Sequence, residues 1–364
     1  MKILFLMDQM YLHGGGERML SQKINYLISH FKYEIHLITT EQKNEKFVYT
    51  LDKKLNWTDL NVNYERQLSY FHPKNVLKSI RHFRLIKKEI QRIQPHVIVS
   101  VSFSPEHYFL PFIQKKIPKI KEFHSSRFDY KASFLRRRLD VLFEKYDALV
   151  VLNDTEKNYY NNKNTVVIPN FTDFKSHSNE AFFKEKTVIA AGRIAPVKQF
   201  NELIEIWKSI ANDFPEWKLK IFGNGLPAAI EDLQIIIKEL NLSDCVFILP
   251  SVPTIQNEMQ KASIYAMSSL TECFPMVLLE AQASGLPIVT YDCPNGPRHI
   301  ITDKEDGFLI APNDKNAFSK ALILLMMDEK LRLTMGTNAI KNVLIFSEEK
   351  VMNQWNLLFT RLMK

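Results

Sequence analysis

Two glutamates, two loop cations, a glycine run and one histidine are the residues of this sequence whose types and spacing can do chemistry. Glu272 and Glu280, separated by seven residues in LTECFPMVLLEAQASGLPIV, flank a helix expected to begin at Pro275, a favoured first-turn residue. Glu272 then sits in the loop before the helix and Glu280 in its second turn, where both carboxylates can accept hydrogen bonds from sugar hydroxyls; ordinary helix-surface glutamates are the plain alternative for Glu280. AAGRIAPVKQF places Arg193 and Lys198 in a loop between a strand and a helix. Arg with its forked donors and Lys as a point charge can neutralise a diphosphate there, or both can be solvated loop cations. FLMDQMYLHGGGERML runs from a strand through Gly14, Gly15 and Gly16 into a helix start, a pattern that lets backbone N–H groups approach an anion or simply makes a tight turn. His124 follows the short strand KIKEF and can donate to a substrate oxygen, or be only a loop residue; His13 beside the glycine run is the second candidate histidine.

The glycine loop is neither GxGxxG nor GxxxxGK[ST], so hydride and Walker-type phosphate chemistry lose support. No D-x-D triplet, no HExxH and no cluster of His with carboxylates appears, so no catalytic metal is expected. VLKSIRHFRLIKKEIQRIQ carries Val76, Ile80, Phe83, Ile86, Ile90 and Ile93 at helical spacing, with Lys78, Arg81, Arg84, Lys87, Lys88 and Arg92 elsewhere. Such a basic amphipathic helix either lies on an anionic membrane surface or buries its stripe in a core and solvates its charges.

These residues need elements to hold them. KILFLM, YEIHLIT, HVIVSV and ALVVLN are short apolar runs separated by helix-length segments, and after a polar stretch around Phe174 to Lys186 the alternation resumes with TVIAAG, WKLKIFG, SIYAMSS and LPIVTYD. Strands alternating with helices imply an α/β fold of parallel sheets, here two doubly wound domains facing across a cleft. The expected limits are 1–172, 173–345, and a C-terminal helix at 346–364 that crosses back to the first domain. Glycine is scarce, 10 in 364 residues, and none falls between Glu17 and Ala191. The seven in the second half mostly follow expected strands, where a ligand-binding loop belongs.

Length and composition bound the rest. With 46% hydrophobic and 24% charged residues over 364 positions the chain is globular in composition, and no stretch approaches the roughly 18 apolar residues of a membrane span. The N-terminal apolar run is too short for a secretory signal, and three cysteines without a CxxC pair exclude a disulfide framework, so a cytoplasmic location is expected. The net charge of +8 is uneven: residues 1–180 carry 29 Lys and Arg against 19 Asp and Glu, and the excess is densest from His72 to Tyr146, which includes Arg136, Arg137 and Arg138. That surface suits an anionic partner such as membrane headgroups, a phosphate-bearing substrate or nucleic acid.

Taken together, GGGERML, GRIAPVKQF, the GNG at Gly223 to Gly225, and ECFPMVLLEAQASGLPIVTYDCPNGPRHII resemble the retaining glycosyltransferases of family 4, in that family's order and spacing. The resemblance spans essentially the whole chain and is strongest from Val188 to Pro312. Cys273 stands where the family commonly has glycine, and Phe171 interrupts its usual Asn-Gly-Val-Asp after IPN. The resemblance implies a GT-B fold of two Rossmann-like domains, the second holding a nucleotide-sugar donor. It implies that Gly15 and Gly16 meet the donor diphosphate, that Arg193 and Lys198 bind it, and that Glu280 holds the ribose. It further implies that Glu272 holds hydroxyls of the transferred sugar beside the backbone of Phe274, Met276 and Val277, that Gly223 lies in the donor loops, and that His124 contacts the sugar.

The expected activity is transfer of a hexosyl group, galactose or N-acetylhexosamine type, from a UDP-sugar to a glycan or lipid-linked glycan acceptor with retention of configuration. No cofactor or metal is expected beside the co-substrate. A bacterial surface-polysaccharide pathway and a peripheral position on the inner membrane face go with that reading. A UDP-N-acetylhexosamine 2-epimerase, which needs no acceptor, and a basic nucleic-acid-binding protein are the competing classes.

Overall fold

A computed structural model describes residues 1–127, 138–173 and 185–363. Arg136 and Arg137 of the basic stretch, and residues 174–184 of the polar stretch, lie outside the described residues. The chain divides into two compact units, one formed by Met1–Pro169 with Glu349–Lys364 and one by Asn170–Glu348.

The first unit is a seven-stranded parallel sheet. Its strands are β1 Lys2–Met7, β2 Glu34–Thr39, β3 Asn56–Asp59, β4 Val97–Ser100, β5 Lys119–Glu122, β6 Ala148–Val151 and β7 Thr165–Val167, in the order β3-β2-β1-β4-β5-β6-β7. Continuous apolar runs such as KILFLM fit this arrangement because a parallel strand covered on both faces has no polar side. Ile3, Leu4 and Phe5 have no exposed surface at all. Helix α1, Gly15–Ser29, follows β1, and α2, Pro73–Ile93, follows β3. The stripe of α2 divides: Ile86, Ile90 and Ile93 enter the core with Leu4, Leu6 and Leu149, whereas Val76 and Ile80 stay exposed. The core reading therefore holds for its C-terminal half alone.

The second unit is a six-stranded parallel sheet of β8 Thr187–Ala191, β9 Lys218–Phe222, β10 Val246–Leu249, β11 Ile264–Met267, β12 Ile288–Tyr291 and β13 Gly307–Ile310, ordered β10-β9-β8-β11-β12-β13. Helix α3, Phe200–Lys208, buries Leu203, Ile204 and Trp207 against Trp217, Ile221 and Phe318. Helix α4, Met276–Ala283, follows β11 and starts one residue after Pro275, which precedes it in extended conformation. A last helix, α5, Glu348–Leu362, packs Trp355 and Phe359 into the first unit, where the Lys23 ammonium lies 3.8 Å from the centre of the Trp355 ring and the Tyr33 hydroxyl bonds Asn356 at 2.5 Å. In both sheets the strand order reverses once, at β1/β4 and at β8/β11, and the carboxyl ends of those strands are where such a sheet takes ligands.

Candidate active site

In the second unit the loop after β8 is gripped from two sides. It zips to the loop after β9: Gly192 N donates to Phe222 O at 3.0 Å and Ile194 N to Asn224 O at 2.8 Å. The backbones approach so closely that a Cβ on Gly223 would lie 2.0 Å from the Gly192 carbonyl oxygen, and one on Gly225 would lie 2.5 Å from that of Ile194. The GNG motif is thus glycine at both ends because no side chain fits. On the other side Leu270 N donates to Val197 O at 2.8 Å, and the Ser268 hydroxyl donates to the carbonyls of Lys198 and Gln199 at 3.0 Å.

This loop brings Lys198 to Glu272, with Nζ 2.5 Å from Oε1 and both side chains largely covered. The DCPNGP stretch clamps Glu272 in turn: its N–H donates to Pro294 O at 2.9 Å, its carbonyl accepts from Asn295 N at 3.0 Å, and a Cβ on Gly296 would lie 2.8 Å from that carbonyl. Burial, with the Glu272 charge nearby, pushes the Cys293 thiol up to about 12, so this sulfur stays protonated and is no nucleophile. Arg193, in the same loop as Lys198, is exposed and pairs with no described residue. Glu280, in the second turn of α4, is 1% exposed and is not a surface glutamate. Phe274 is buried with its ring 5.5 Å from Phe346. Its side chain therefore packs, leaving only its backbone for other contacts. No side chain caps α4, so the amides of Met276 and Val277 start the helix without intrahelical acceptors, the arrangement that favours an anion.

In the first unit the loop after β1 leads into α1, and its three glycines differ. A Cβ on Gly14 would meet Glu17 Oε2 at 2.1 Å, whereas one on Gly15 would meet nothing within 4 Å and one on Gly16 only Met7 Cε at 4.0 Å. The contact at Gly14 is with the movable end of the Glu17 side chain, and the fold leaves open space beside the two glycines expected to face a phosphate. Burial raises the Glu17 carboxyl above its usual range. His124 lies at the end of β5 with Nε2 2.9 Å from Glu122 Oε1, and the same oxygen takes the Lys23 ammonium. Lys23 and Glu122 are 2% exposed. Burial opposes the Glu122 charge, but Lys23 and His124 outweigh it and hold the carboxyl down at about 2. His13 is exposed, its ring edge-on to Tyr49 at 6.4 Å.

Residues 172–342 match the family model of glycosyl transferases group 1. The amylovoran biosynthesis glycosyltransferase AmsD of Erwinia amylovora is 27% identical over 98% of this chain and 98% of its own length. An α-1,4-N-acetyl-D-galactosaminyltransferase of Campylobacter jejuni, named for an acceptor ending in diNAcBac-PP-undecaprenol, is 25% identical over 98% of this chain and 97% of its own. A Staphylococcus aureus TarM variant, solved with fondaparinux, α-GlcNAc-glycerol and UDP, superposes with a TM-score of 0.78 at 16% identity, covering 98% of this chain and 99% of its own. The chain is a glycosyltransferase.

Its fold is GT-B, two Rossmann-like domains. Several residues at the carboxyl ends of this glycosyltransferase's first sheet escaped the sequence reading. Asp8, just after β1, accepts from the Ser102 hydroxyl at 2.6 Å and from Phe103 N at 3.1 Å. Glu106, without exposed surface, accepts from Ser104 at 2.5 Å and Ser100 at 3.3 Å, and the buried Lys121 ammonium donates to Ser102 O. Burial raises the Glu106 carboxyl, with Asp8 adding to it, and lowers the Lys121 ammonium. A signal for this network was present: KIKEF puts three charges into a strand interior to a parallel sheet, where both faces should be apolar. Among the described residues no group of three His, Cys, Asp or Glu is placed to hold a metal ion, and no helix is long and apolar enough to cross a membrane.

Proposed function

We propose that this glycosyltransferase is a family 4 enzyme that moves a hexosyl group, galactose or N-acetylhexosamine type, from a UDP-sugar to a hydroxyl of a glycan or lipid-linked glycan, with retention of configuration. The observation that carries the reading is the Lys198–Glu272 pair at the β8/β11 reversal, beside exposed Arg193. In the reaction the bond from the anomeric carbon to the diphosphate oxygen breaks and its electron pair stays on the diphosphate, the bond to the acceptor oxygen forms, and the acceptor's hydroxyl proton passes to the departing diphosphate or to water. Arg193, Lys198 and the uncapped start of α4 supply positive potential for that charge without a metal. A diphosphate competes with Glu272 for Lys198, and a carboxylate released from the pair is free to accept hydroxyls of the transferred sugar. Buried Glu280 serves the ribose, His124 the sugar, and Gly15 and Gly16 the close approach of phosphate.

The relatives add to this reading. The Campylobacter enzyme is named as an α-transferase acting on a PP-undecaprenol-linked glycan, TarM was solved with UDP, and AmsD is named for amylovoran biosynthesis. An α-linked product from an α-linked nucleotide sugar is retention, and a bacterial surface glycan is the matching product class. The test is a thermal-shift screen against UDP, GDP, ADP and a panel of UDP-sugars, with and without magnesium. A ligand at a hundred times its dissociation constant adds about 2.7 kcal/mol of stability. The expected result is a metal-independent shift with UDP and with one UDP-hexose. A shift with GDP or ADP alone, or with no nucleotide, would overturn the donor assignment.

A further inference from the structure

The first unit holds a cavity of about 680 Å³ that the donor reading leaves unused. Phe103, just after the carboxyl end of β4, Tyr108 and Phe109 in the helical turn Glu106–Phe109, and Phe71 and Phe83 from before and within α2 supply its aromatic wall. Its size is that of a site for a small organic ligand, and it lies beside the strand ends at the reversal of the sheet. The wall is fixed in advance. The Phe109 ring is held edge-on by Phe83 at 5.4 Å and by His82 at 5.6 Å, Phe103 N donates to the Asp8 carboxylate at 3.1 Å, and Arg66 donates to the hydroxyl of Tyr70, another lining residue, at 2.7 Å. Among the described lining residues there is no Asp, Glu, Lys or Arg. A phosphate therefore finds no charged partner inside. The polar groups are few, and the His107 imidazole marks the polar edge: it also borders a neighbouring cavity of about 20 Å³, room for a water, lined by Lys121, Arg127 and Asp140.

A pyranose ring presents apolar C–H faces and a polar rim. A fully hydroxylated hexose in this cavity would bury hydroxyls that exchange water for no partner, which is unfavourable. Loss of the 6-hydroxyl leaves a methyl group and N-acetylation adds one, and either methyl gains by leaving water against an aromatic wall. We propose that this cavity seats the acceptor sugar and selects one poor in hydroxyls, N-acetylated or 6-deoxy, with its apolar side against Phe71, Phe103 and Tyr108 and its polar edge toward His107. The inference rests on the reading that the acceptor is a glycan. It deepens that reading by making the acceptor preference a property of the first unit alone, set by an uncharged wall rather than by hydrogen-bond partners for each hydroxyl.

The test is saturation-transfer NMR of the full chain, with UDP present, against methyl N-acetyl-α-D-galactosaminide, methyl α-L-fucoside, methyl α-D-galactoside and octyl β-D-glucoside. The acetamide methyl of the first probe and the 6-methyl of the second are expected to take up saturation, with each of these probes binding about fourfold more tightly than the galactoside, the effect of one buried methyl group. Phe71 and Ile80, both lining residues, are 50% and 46% exposed, so Phe71→Ser with Ile80→Asn should keep the melting temperature while weakening both probes about tenfold. Tyr108→Ala should weaken them as well. Equal binding of the galactoside, or undiminished binding by the Phe71 and Ile80 double variant, would overturn the selection. Saturation confined to the octyl chain would give the cavity to an alkyl group and overturn the sugar assignment, and a concentration-dependent dimer that the double variant dissolves would give it to a second copy. The UDP-induced thermal shift should be the same in every variant. A UDP shift with no glycoside response would therefore overturn the cavity and leave the donor reading standing, whereas a glycoside response without a UDP shift would do the converse.

Discussion

The two units of this enzyme carry their candidate chemistry in different materials. In the second, backbone holds the site: Gly223, Gly225 and Gly296 let three loops touch main chain to main chain, and Lys198 and Glu272 project from that frame. In the first, buried side chains hold it: Lys23 and Glu122 lie under His124, and Asp8, Ser102, Ser104, Glu106 and Lys121 form a second network beside them. A frame of glycine loops tolerates no added atom and leaves the Lys198–Glu272 pair partly exposed, whereas a frame of fully buried charges has room in its loops and depends on each partner and on pH. The contrast predicts where each unit breaks.

The largest effect is expected at Lys23. Lys23→Met leaves Glu122 ionised and buried with only His124 to face it, which should cost about 3–5 kcal/mol in denaturant unfolding of the first unit. A loss below 1 kcal/mol would mean that Glu122 is adequately held by the histidine, and the contrast between the units would weaken.

Acid should strike the same unit. Burial lowers the His82 imidazole from its ordinary value near 6.5 to about 4, and Glu122 is held down at about 2. The unfolded chain binds more protons than the folded one from pH 6.5 down to 4 through His82, and from about 4.5 down to 2 through Glu122, so both contributions fall as pH falls; Glu106, raised to about 7, takes its proton earlier in the folded chain and offsets the His82 part above pH 4.5, which leaves the net loss to the Glu122 window. The His82 part should amount to up to about 3 kcal/mol by pH 4. Peptide-resolved amide exchange below pH 4.5 should show the first unit opening before the second, and the difference in stability between wild type and His82→Gln should trace the His82 part across the upper window.

Next in size, Arg193→Ala should cut turnover of the UDP-sugar about 100-fold with an unchanged melting temperature, because the side chain is exposed and its work is electrostatic. Near-normal turnover would remove it from the site. Gly223→Ala should do the reverse, costing about 1–3 kcal/mol of stability by overpacking against the Gly192 carbonyl. The smallest expected effect on stability sharpens the comparison most. Gly15→Ala puts a methyl group where no atom lies within 4 Å and should stabilise the start of α1 by about 0.5–1 kcal/mol, yet it should weaken the UDP-sugar response if phosphate comes close there.

The same difference in material explains what could be read from the chain alone. KILFLM and TVIAAG became strands within a residue of their expected limits because a buried parallel strand is written as an apolar run. The polar edge strand Asn56–Asp59 carries no such run, and it went unread with Thr165–Val167. Lys198 and Glu272 were legible because glycine, proline and short loops fix their neighbourhood locally. Their direct ion pair was not, since it joins residues 74 apart. The first unit's networks are more hidden: Lys23 and Glu122 are 99 positions apart, and nothing in the α1 sequence sets Lys23 aside from a solvated helix cation. The α2 stripe was legible as a period but not in its division, because periodicity reports which face is apolar and not how far along it a neighbour extends.

The return of α5 to the first unit also bears on how the molecule is made. Residues 349–363 leave the ribosome only after the whole second unit has been synthesised, and they bring Trp355 onto Lys23. The second unit is one continuous stretch and has every partner it needs as soon as it emerges, whereas the unit begun first must wait with an uncovered seam beside α1. During synthesis the order of completion is therefore the opposite of the order of appearance, and the Lys23–Glu122–His124 arrangement acquires its aromatic cover as one of the final events of folding.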